Sequence, residues 1–271
     1  MQPTSPPVVL TIAGSDCSAG AGIQADLKTF TSFGTFGLTA VTCAVSETPR
    51  TVRQIHPIPV NIVTDQVSLL LDSYPVKAVK TGMLFSPEHI TAIANVLSSR
   101  NLPVIVDPVM VASSGDSLMR HEALAAFRES LLPLATLVTP NLPEASALLG
   151  RTLTTLADLE PAALELARIY HNSWLIKGGH LAVGTESIDI FADPLGDLHR
   201  FSAPWITSPG THGTGCTLSA AIAAGVALDL PLLAAIASAK RFISLAIGSG
   251  HSWTAHDGTS IHALKQSIPN F

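Results

Sequence analysis

Short apolar runs alternate with longer stretches of helical period along most of this chain. Residues 8–14 (VVLTIAG) read as a strand, and 21–34 (AGIQADLKTFTSFG) as an amphipathic helix ending at Gly34. Residues 37–47 (GLTAVTCAVSE) are β-rich and mostly apolar, as a strand buried on both faces should be. A helical period covers 61–74; short strands at 76–82 and 103–109 flank a helix over 87–100. Residues 134–140 are a further strand, 141–150 a helix closed by glycine, 158–171 a longer helix and 173–179 another strand. In 186–204 two alternating runs flank DPLGD, which predicts a hairpin. Two apolar helices follow, near 215–228 and 231–248. This alternation predicts an α/β three-layer sandwich, a central mainly parallel sheet with helices on both faces. With no polar linker and no repeat, a single domain spanning 1–271 is expected.

Composition narrows the class. The 271 residues are 47% hydrophobic and 13% charged, with a mean hydropathy of +0.40, as in a well-buried enzyme core. No apolar run approaches the ~20 residues of a membrane span. The N-terminal segment has no basic region, and VVLTIAG is too short for a signal sequence. A net charge of −5 without a basic cluster argues against nucleic acid as a partner. Three cysteines without paired metal spacing suit a reduced cytoplasm.

Sheets of this kind bind ligands at the carboxyl ends of their strands. There the chain carries GSDCSAGAG (14–22), Ser46 and Glu47, KTGM (80–83), DPVM (107–110), Thr139 to Asn141, and KGGH (177–180). Gly20, Gly22 and Ala25 match a dinucleotide fingerprint, with Glu47 placed like a ribose-binding acid. Residues 15–19 intervene after the strand, however, where the fingerprint should follow at once. A Walker loop is absent too, because no lysine follows the last glycine.

The stretch THGTGCTLSAAIAAG (211–225) offers another cradle. Gly213, Thr214 and Gly215 allow a tight turn with inward N–H groups, and a helix from about Cys216 adds its positive end. That field is expected to lower the Cys216 pKa, making the thiol a proton acceptor or a donor to an oxyanion. A small residue packed at a crowded helix start is the alternative. Asp107, Asn141 and Glu144 have the chemistry for Mg²⁺, although Asn141 and Glu144 also fit a helix cap; both roles can coexist. Lys177 can neutralise phosphate, or be merely solvated.

IAGSDCSAGAGIQADLKTF, KTGML, VDPVM, TPNLPEA, IKGGH and HGTGCTLSAAIAA occur in this order from about Val8 to Ser249. Together they closely resemble the hydroxymethylpyrimidine/phosphomethylpyrimidine kinases of thiamin biosynthesis, in the ribokinase-like superfamily. The resemblance implies ATP and Mg²⁺ as cofactors and the hydroxymethyl of 4-amino-5-hydroxymethyl-2-methylpyrimidine as acceptor. A second transfer onto the monophosphate, and a homodimer, are implied as well. It assigns Gly213, Thr214, Gly215 and Cys216 to the anion hole, Cys216 standing where sugar kinases of the superfamily carry an aspartate base. Asp107, Asn141 and Glu144 fall to the metal and phosphate cluster. Lys177, Thr211 and Lys240 fall to ATP and phosphate; Asp26, Val45, Glu47 and Met83 to the pyrimidine pocket.

Where these kinases usually carry glutamine after the second strand, this chain has Glu47. An amide donates and accepts, whereas a carboxylate only accepts. Glu47 is therefore expected to bind the amino group together with a protonated ring nitrogen, or to be protonated itself. Otherwise the acceptor differs, pyridoxal being the candidate. Cys17 reads as incidental, and Ala19 stands where glycine is frequent. His180 and His212 read as neutral polar lining, and His251, His256 and His262 as surface or capping residues. A nicotinamide oxidoreductase and a non-catalytic pyrimidine sensor are the competing readings.

Overall fold

Alternate side chains of the first strand, β1 (Val8–Asp16), point to opposite sides, and both sides are dry. In the computed structural model Val8, Leu10 and Ile12 join one apolar cluster while Val9 joins another. A strand without a wet face must lie inside a sheet covered twice. The structure describes residues 5–110, 121–179, 185–269 and 271.

Six strands run parallel: β1, β2 (Phe36–Thr48), β4 (Val76–Thr81), β5 (Val104–Val106), β6 (Leu137–Val138) and β7 (Ser173–Lys177). Antiparallel strands extend both edges, β3 (Thr51–Pro57) beyond β2, and β8 (Glu186–Ala192) with β9 (Leu198–Pro204) beyond β7. The order is β3-β2-β1-β4-β5-β6-β7-β8-β9. The chain runs outward from β1 through β2 and returns as β4 on the other side of β1. This opens a switch point at the carboxyl ends of β1 and β4.

One face is covered by α1 (Gly22–Ser32), α7 (Thr214–Ala227) and α8 (Leu232–Gly248), the other by α2 (Val60–Ser73), α3 (Pro87–Ser98), α5 (Leu142–Leu149) and α6 (Leu159–Tyr170). The six-residue α4 (His121–Ala126) widens into a π-turn over Phe127–Leu131.

The sandwich, the mainly parallel sheet and the hairpin at 186–204 are as the sequence predicts. Five details differ. β3 (TVRQIHP) was not anticipated, because an edge strand with mostly exposed side chains carries no apolar run. Nor were α4 and the small hairpin of β10 (His251–Thr254) and β11 (Ser260–Ala263). The strands expected at 103–109 and 134–140 shrink to three and two residues. α7 starts at Thr214, earlier than the expected Cys216.

Beneath the switch point a buried ion pair ties α1 to β4. Lys80 Nζ donates to both oxygens of Asp26, at 3.1 and 2.9 Å, and Thr11 Oγ1 donates to Asp26 at 2.6 Å. Both charged side chains are fully buried. Burial alone would lower the Lys80 pKa, but the adjacent Asp26 carboxylate more than offsets this and holds the ammonium above the ordinary lysine value. Gly82 leaves room for that ammonium, since a β-carbon there would sit 2.9 Å from Nζ.

Removing one partner of such a pair strands a buried charge. Lys80→Met is therefore expected to cost about 3–5 kcal/mol of unfolding free energy. Adding Asp26→Leu to it should recover most of the loss. Urea titrations of the two single variants and the double variant check this; additive losses would contradict it.

Candidate active site

A cavity of about 700 Å³ opens at the carboxyl ends of the strands, over the switch point. At its centre lies the turn into α7. Gly213 adopts φ 83°, a left-handed conformation, and a β-carbon there would collide with the Gly20 carbonyl. Thr214 folds back on Thr211 O through its N–H (3.2 Å) and hydroxyl (3.0 Å). Among the described residues no side chain caps α7 by a hydrogen bond. The first-turn N–H groups of Gly215 and Cys216 thus have no intrahelical acceptor and face a place for an anion.

Charged groups converge on this turn. A β-carbon on Gly215 would lie 3.1 Å from Lys177 Nζ and 3.6 Å from Asp107 Oδ2. Lys177 donates to Asp107 Oδ1 at 2.9 Å. Burial would lower the Lys177 pKa, but Asp107 and Glu144 outweigh it and keep the ammonium above its ordinary value. Lys177 is thus a paired cation in the cavity wall, not a solvated surface lysine.

Asn141 and Glu144 form a reciprocal cap: Asn141 Oδ1 accepts from Glu144 N (2.9 Å) and Glu144 Oε2 from Asn141 N (2.8 Å). Glu144 Oε1 faces Met110 N at 3.5 Å. Burial, and then the Asp107 charge, push the Glu144 carboxyl up to about 7 against the pull of Lys177. The cap thus exists and faces the cavity. Asp107 Oδ2 accepts no hydrogen bond from the described residues and lies beside the anion turn. It is the oxygen best placed for a divalent cation, with Glu144 and Asn141 behind it.

Cys216 corrects the expectation of a lowered thiol pKa. Burial pushes it up to about 11; Asp107 and Asp26 add to the rise, while Lys80 and the Gly22 N–H oppose it. Desolvation and two carboxylates outweigh the helix terminus. The thiol is neutral at physiological pH, and its sulfur accepts from the Gly22 N–H.

One end of the cavity is a small apolar pocket of Val45, Met83, Val109 and Gly14, closed by Glu47 and Asp16. Asp26, expected in this pocket, does not line it; it lies beneath, spent on Lys80 and Thr11. Lys80 reaches the cavity in its place. Asp16 holds the loop after β1. Its oxygens accept from the N–H groups of Ser18 (2.7 Å), Gly20 (3.1 Å) and Ala21 (2.8 Å), and pair with His212 Nε2 (2.9 Å). Burial raises its pKa, but these bonds prevail and bring it down to about 2. Ala19 takes φ 60° in this loop, a conformation that favours glycine. Ligand atoms of Asp16, Glu47 and His212 lie within 4.8 Å of one another. With Asp16 already engaged by the loop, they form a polar wall rather than a cation cage.

Elsewhere the cavity is lined by an apolar slot of Pro204, Trp205, Ile206, Leu218, Ile243 and Ile247. Lys240 stands at its edge, donating to Asp189 (2.6 Å) and Ser187 (3.1 Å), and Thr211 lies on the rim. His180 lies outside the described residues. The structure thus gathers Glu47, Val45, Met83, Asp107, Asn141, Glu144, Lys177, Thr211, Gly213, Thr214, Gly215, Cys216 and Lys240 around one cavity. It adds Asp16 and Lys80, which sequence reasoning missed. Asp16 had a signal, an acid followed by a small-residue loop that needs an acceptor for its N–H groups.

The sequence profile described as phosphomethylpyrimidine kinase matches residues 16–260. A hydroxymethylpyrimidine/phosphomethylpyrimidine kinase of Rhizobium meliloti is 45% identical over 244 residues, covering 89% of this chain and 91% of that protein. The thiamine biosynthesis bifunctional protein ThiED of Geobacter sulfurreducens is 47% identical over 92% of this chain, which spans only 52% of that longer protein. Among solved structures, the ADP complex of a Bacillus subtilis pyridoxal kinase superposes with a TM-score of 0.86 at 36% identity, covering 97% of this chain and 98% of that one. A Staphylococcus aureus pyridoxal kinase in complex with AMP-PCP and pyridoxal gives 0.85 at 34% identity, covering 97% and 94%. The fold is ribokinase-like, and the nicotinamide reading is set aside.

The thiol environments make a direct prediction. At about pH 7.5 iodoacetamide should label exposed Cys17 first, and Cys216 at least about tenfold more slowly, because so little of it is thiolate. Peptide mapping over time reads both rates; a Cys216 as fast as Cys17 would contradict the neutral thiol.

Proposed function

This chain belongs to the phosphomethylpyrimidine kinase family, and from that membership we propose a specific reaction. It transfers the γ-phosphoryl group of ATP to the hydroxymethyl of 4-amino-5-hydroxymethyl-2-methylpyrimidine, then a second onto the monophosphate, in thiamin biosynthesis. The observation that carries the reading is the position of the turn at 213–216. It lines one cavity together with the apolar set Pro204, Trp205 and Ile206 and with Val45, Met83 and Glu47, and the Lys177–Asp107 pair lies against it.

Phosphoryl transfer asks mainly for positioning and charge stabilisation. The slot receives the adenine, with Lys240 and Thr211 at its edge. The N–H groups of Gly215 and Cys216 take the oxygens of the transferring phosphoryl group, and Lys177 offsets their charge. Asp107 would hold Mg²⁺, supported by Asn141 and Glu144; when bound, the ion neutralises phosphate charge. The pocket of Val45, Met83 and Glu47 orients the alcohol toward the turn. Cys216 donates its S–H to the developing oxyanion. In a loose transition state the alcohol proton leaves late, onto an oxygen of the transferred phosphoryl group and from there to solvent as ADP departs, so no strong base is required. Free Cys17, Cys43 and Cys216 fit a cytoplasmic setting. Exposed Phe36, Ile62, Leu69 and Tyr74 offer surface for the homodimer included in this reading. Among the described residues no helix is long and apolar enough to cross a membrane.

The test is ATP consumption with the pyrimidine alcohol, its monophosphate and pyridoxal, with the products resolved. Preferred turnover of the pyrimidine is expected, and none on it would sink the proposal. Pyridoxal is the second acceptor because solved pyridoxal kinases superpose closely on this chain. Cys216→Ala is expected to lower kcat by roughly 10²–10³-fold with little change in KM for ATP, the range for one preorganised group. Steady-state kinetics check it; an unchanged kcat would remove Cys216 from the machinery.

A further inference from the structure

Glu47 is the group in the cavity whose chemistry the transfer step leaves unexplained. Its carboxyl faces the acceptor pocket and accepts no hydrogen bond from the described residues, unlike those of Asp16, Asp107 and Glu144. Its backbone, by contrast, is fixed: Cys17 Sγ accepts from Glu47 N at 3.3 Å and donates to Glu47 O at 3.2 Å. A carboxyl held in place, half-buried and without a hydrogen-bond donor among the described residues is suited to take one from a ligand.

The groups facing it decide its protonation. Asp16, at the end of β1, is an anion locked by backbone N–H groups and cannot take a proton cheaply. His212, before α7, is already paired with Asp16. Cys43, on Glu47's own strand, is a buried neutral thiol. Across β3 the partner is Val52, which carries no charge. Two carboxyl groups this close in a poorly solvated wall share the burden unequally, and the one without donors is the one that takes up a proton more readily. Burial first, then the Asp16 charge, push Glu47 up to about 7, while His212 pulls it back.

We propose that the aminopyrimidine is read through one shared proton, taken up from solvent on binding and held between Glu47 and the ring nitrogen beside the amino-bearing carbon. The exocyclic amine donates to the other carboxyl oxygen, closing a two-bond ring. A neutral carboxyl with a neutral base, or a carboxylate with a protonated base, gives the same count: ligand plus ionised Glu47 plus one proton forms the complex. Asp16 is the positioning residue that places this proton, since its fixed charge makes an unprotonated Glu47 costly. The inference rests on the kinase reading for the identity of the ligand.

The experiment is calorimetric titration of the full chain with 4-amino-5-hydroxymethyl-2-methylpyrimidine, in buffers of different ionisation enthalpy, for wild type and Glu47→Gln. At about pH 8.5 wild type should take up about one proton per ligand, and its Kd should weaken about tenfold per pH unit above neutrality. Glu47→Gln, whose amide brings its own donor and acceptor, should bind with no uptake and a flat Kd over the same range. Glu47→Ala gives the same null uptake should the amide disturb the fold. Binding by wild type without proton uptake, or equal uptake in the Glu47 variants, overturns the shared proton and leaves the kinase reading standing. No binding of the pyrimidine by protein that still binds ATP overturns the kinase reading, and the inference with it.

Discussion

Everything in the site depends on one close approach, the turn at 213–216 pressed against the loop that follows β1. A β-carbon on Gly213 would strike the Gly20 carbonyl, and one on Gly20 would sit 2.6 Å from the His212 ring. The two segments fit only because both residues are bare. Gln266 Nε2 fastens the contact, donating to Gly20 O at 2.7 Å and to Thr217 Oγ1 at 2.9 Å. Asp16 then binds both sides at once, through the loop N–H groups and His212. The anion cradle and the acceptor pocket therefore share a wall, and neither can move without the other. Holding two reactants in fixed relation is the main demand of a transfer between them.

The cavity meets highly charged ligands with cations that already have partners. Lys80, Lys177 and Lys240 are matched to Asp26, Asp107 and Asp189. Desolvation at this depth works against a charged lysine; Asp26 and Asp107 outweigh it at Lys80 and Lys177, and Asp189 aims Lys240. The pairs are not equivalent. Asp26 spends both oxygens below the floor, so Lys80 is fixed. Asp107 leaves Oδ2 toward the turn, so the Lys177 pair can answer both a phosphate and a cation.

Much of this was legible in the sequence because it rests on periodicity and glycine. The alternation of apolar runs with helical stretches gave the layers, and polar residues at strand ends gave the cavity's lining. Other features follow from packing that no local pattern records. Lys80 sits in an apolar strand as if at its end, and only the return of β4 beside β1 buries it against Asp26. β3 is an edge strand whose stability comes from pairing with β2, not from its own composition. The Cys216 thiol was misjudged because a helix start is visible in sequence, whereas burial between Asp107 and Asp26 is not.

The same burial among carboxylates explains the choice of residue. Asp26, Asp107 and Glu144 already crowd this end of the sheet with carboxyl groups, and the Glu144 carboxyl is itself pushed up to about 7. A further carboxylate at 216 would raise its neighbours' proton affinity and repel the incoming phosphate. A thiol there stays neutral and occupies little space at the helix start. It adds no charge until a phosphoryl group brings its own. The electrostatics that deny Cys216 a low pKa are the same that make a neutral group the right one for the position.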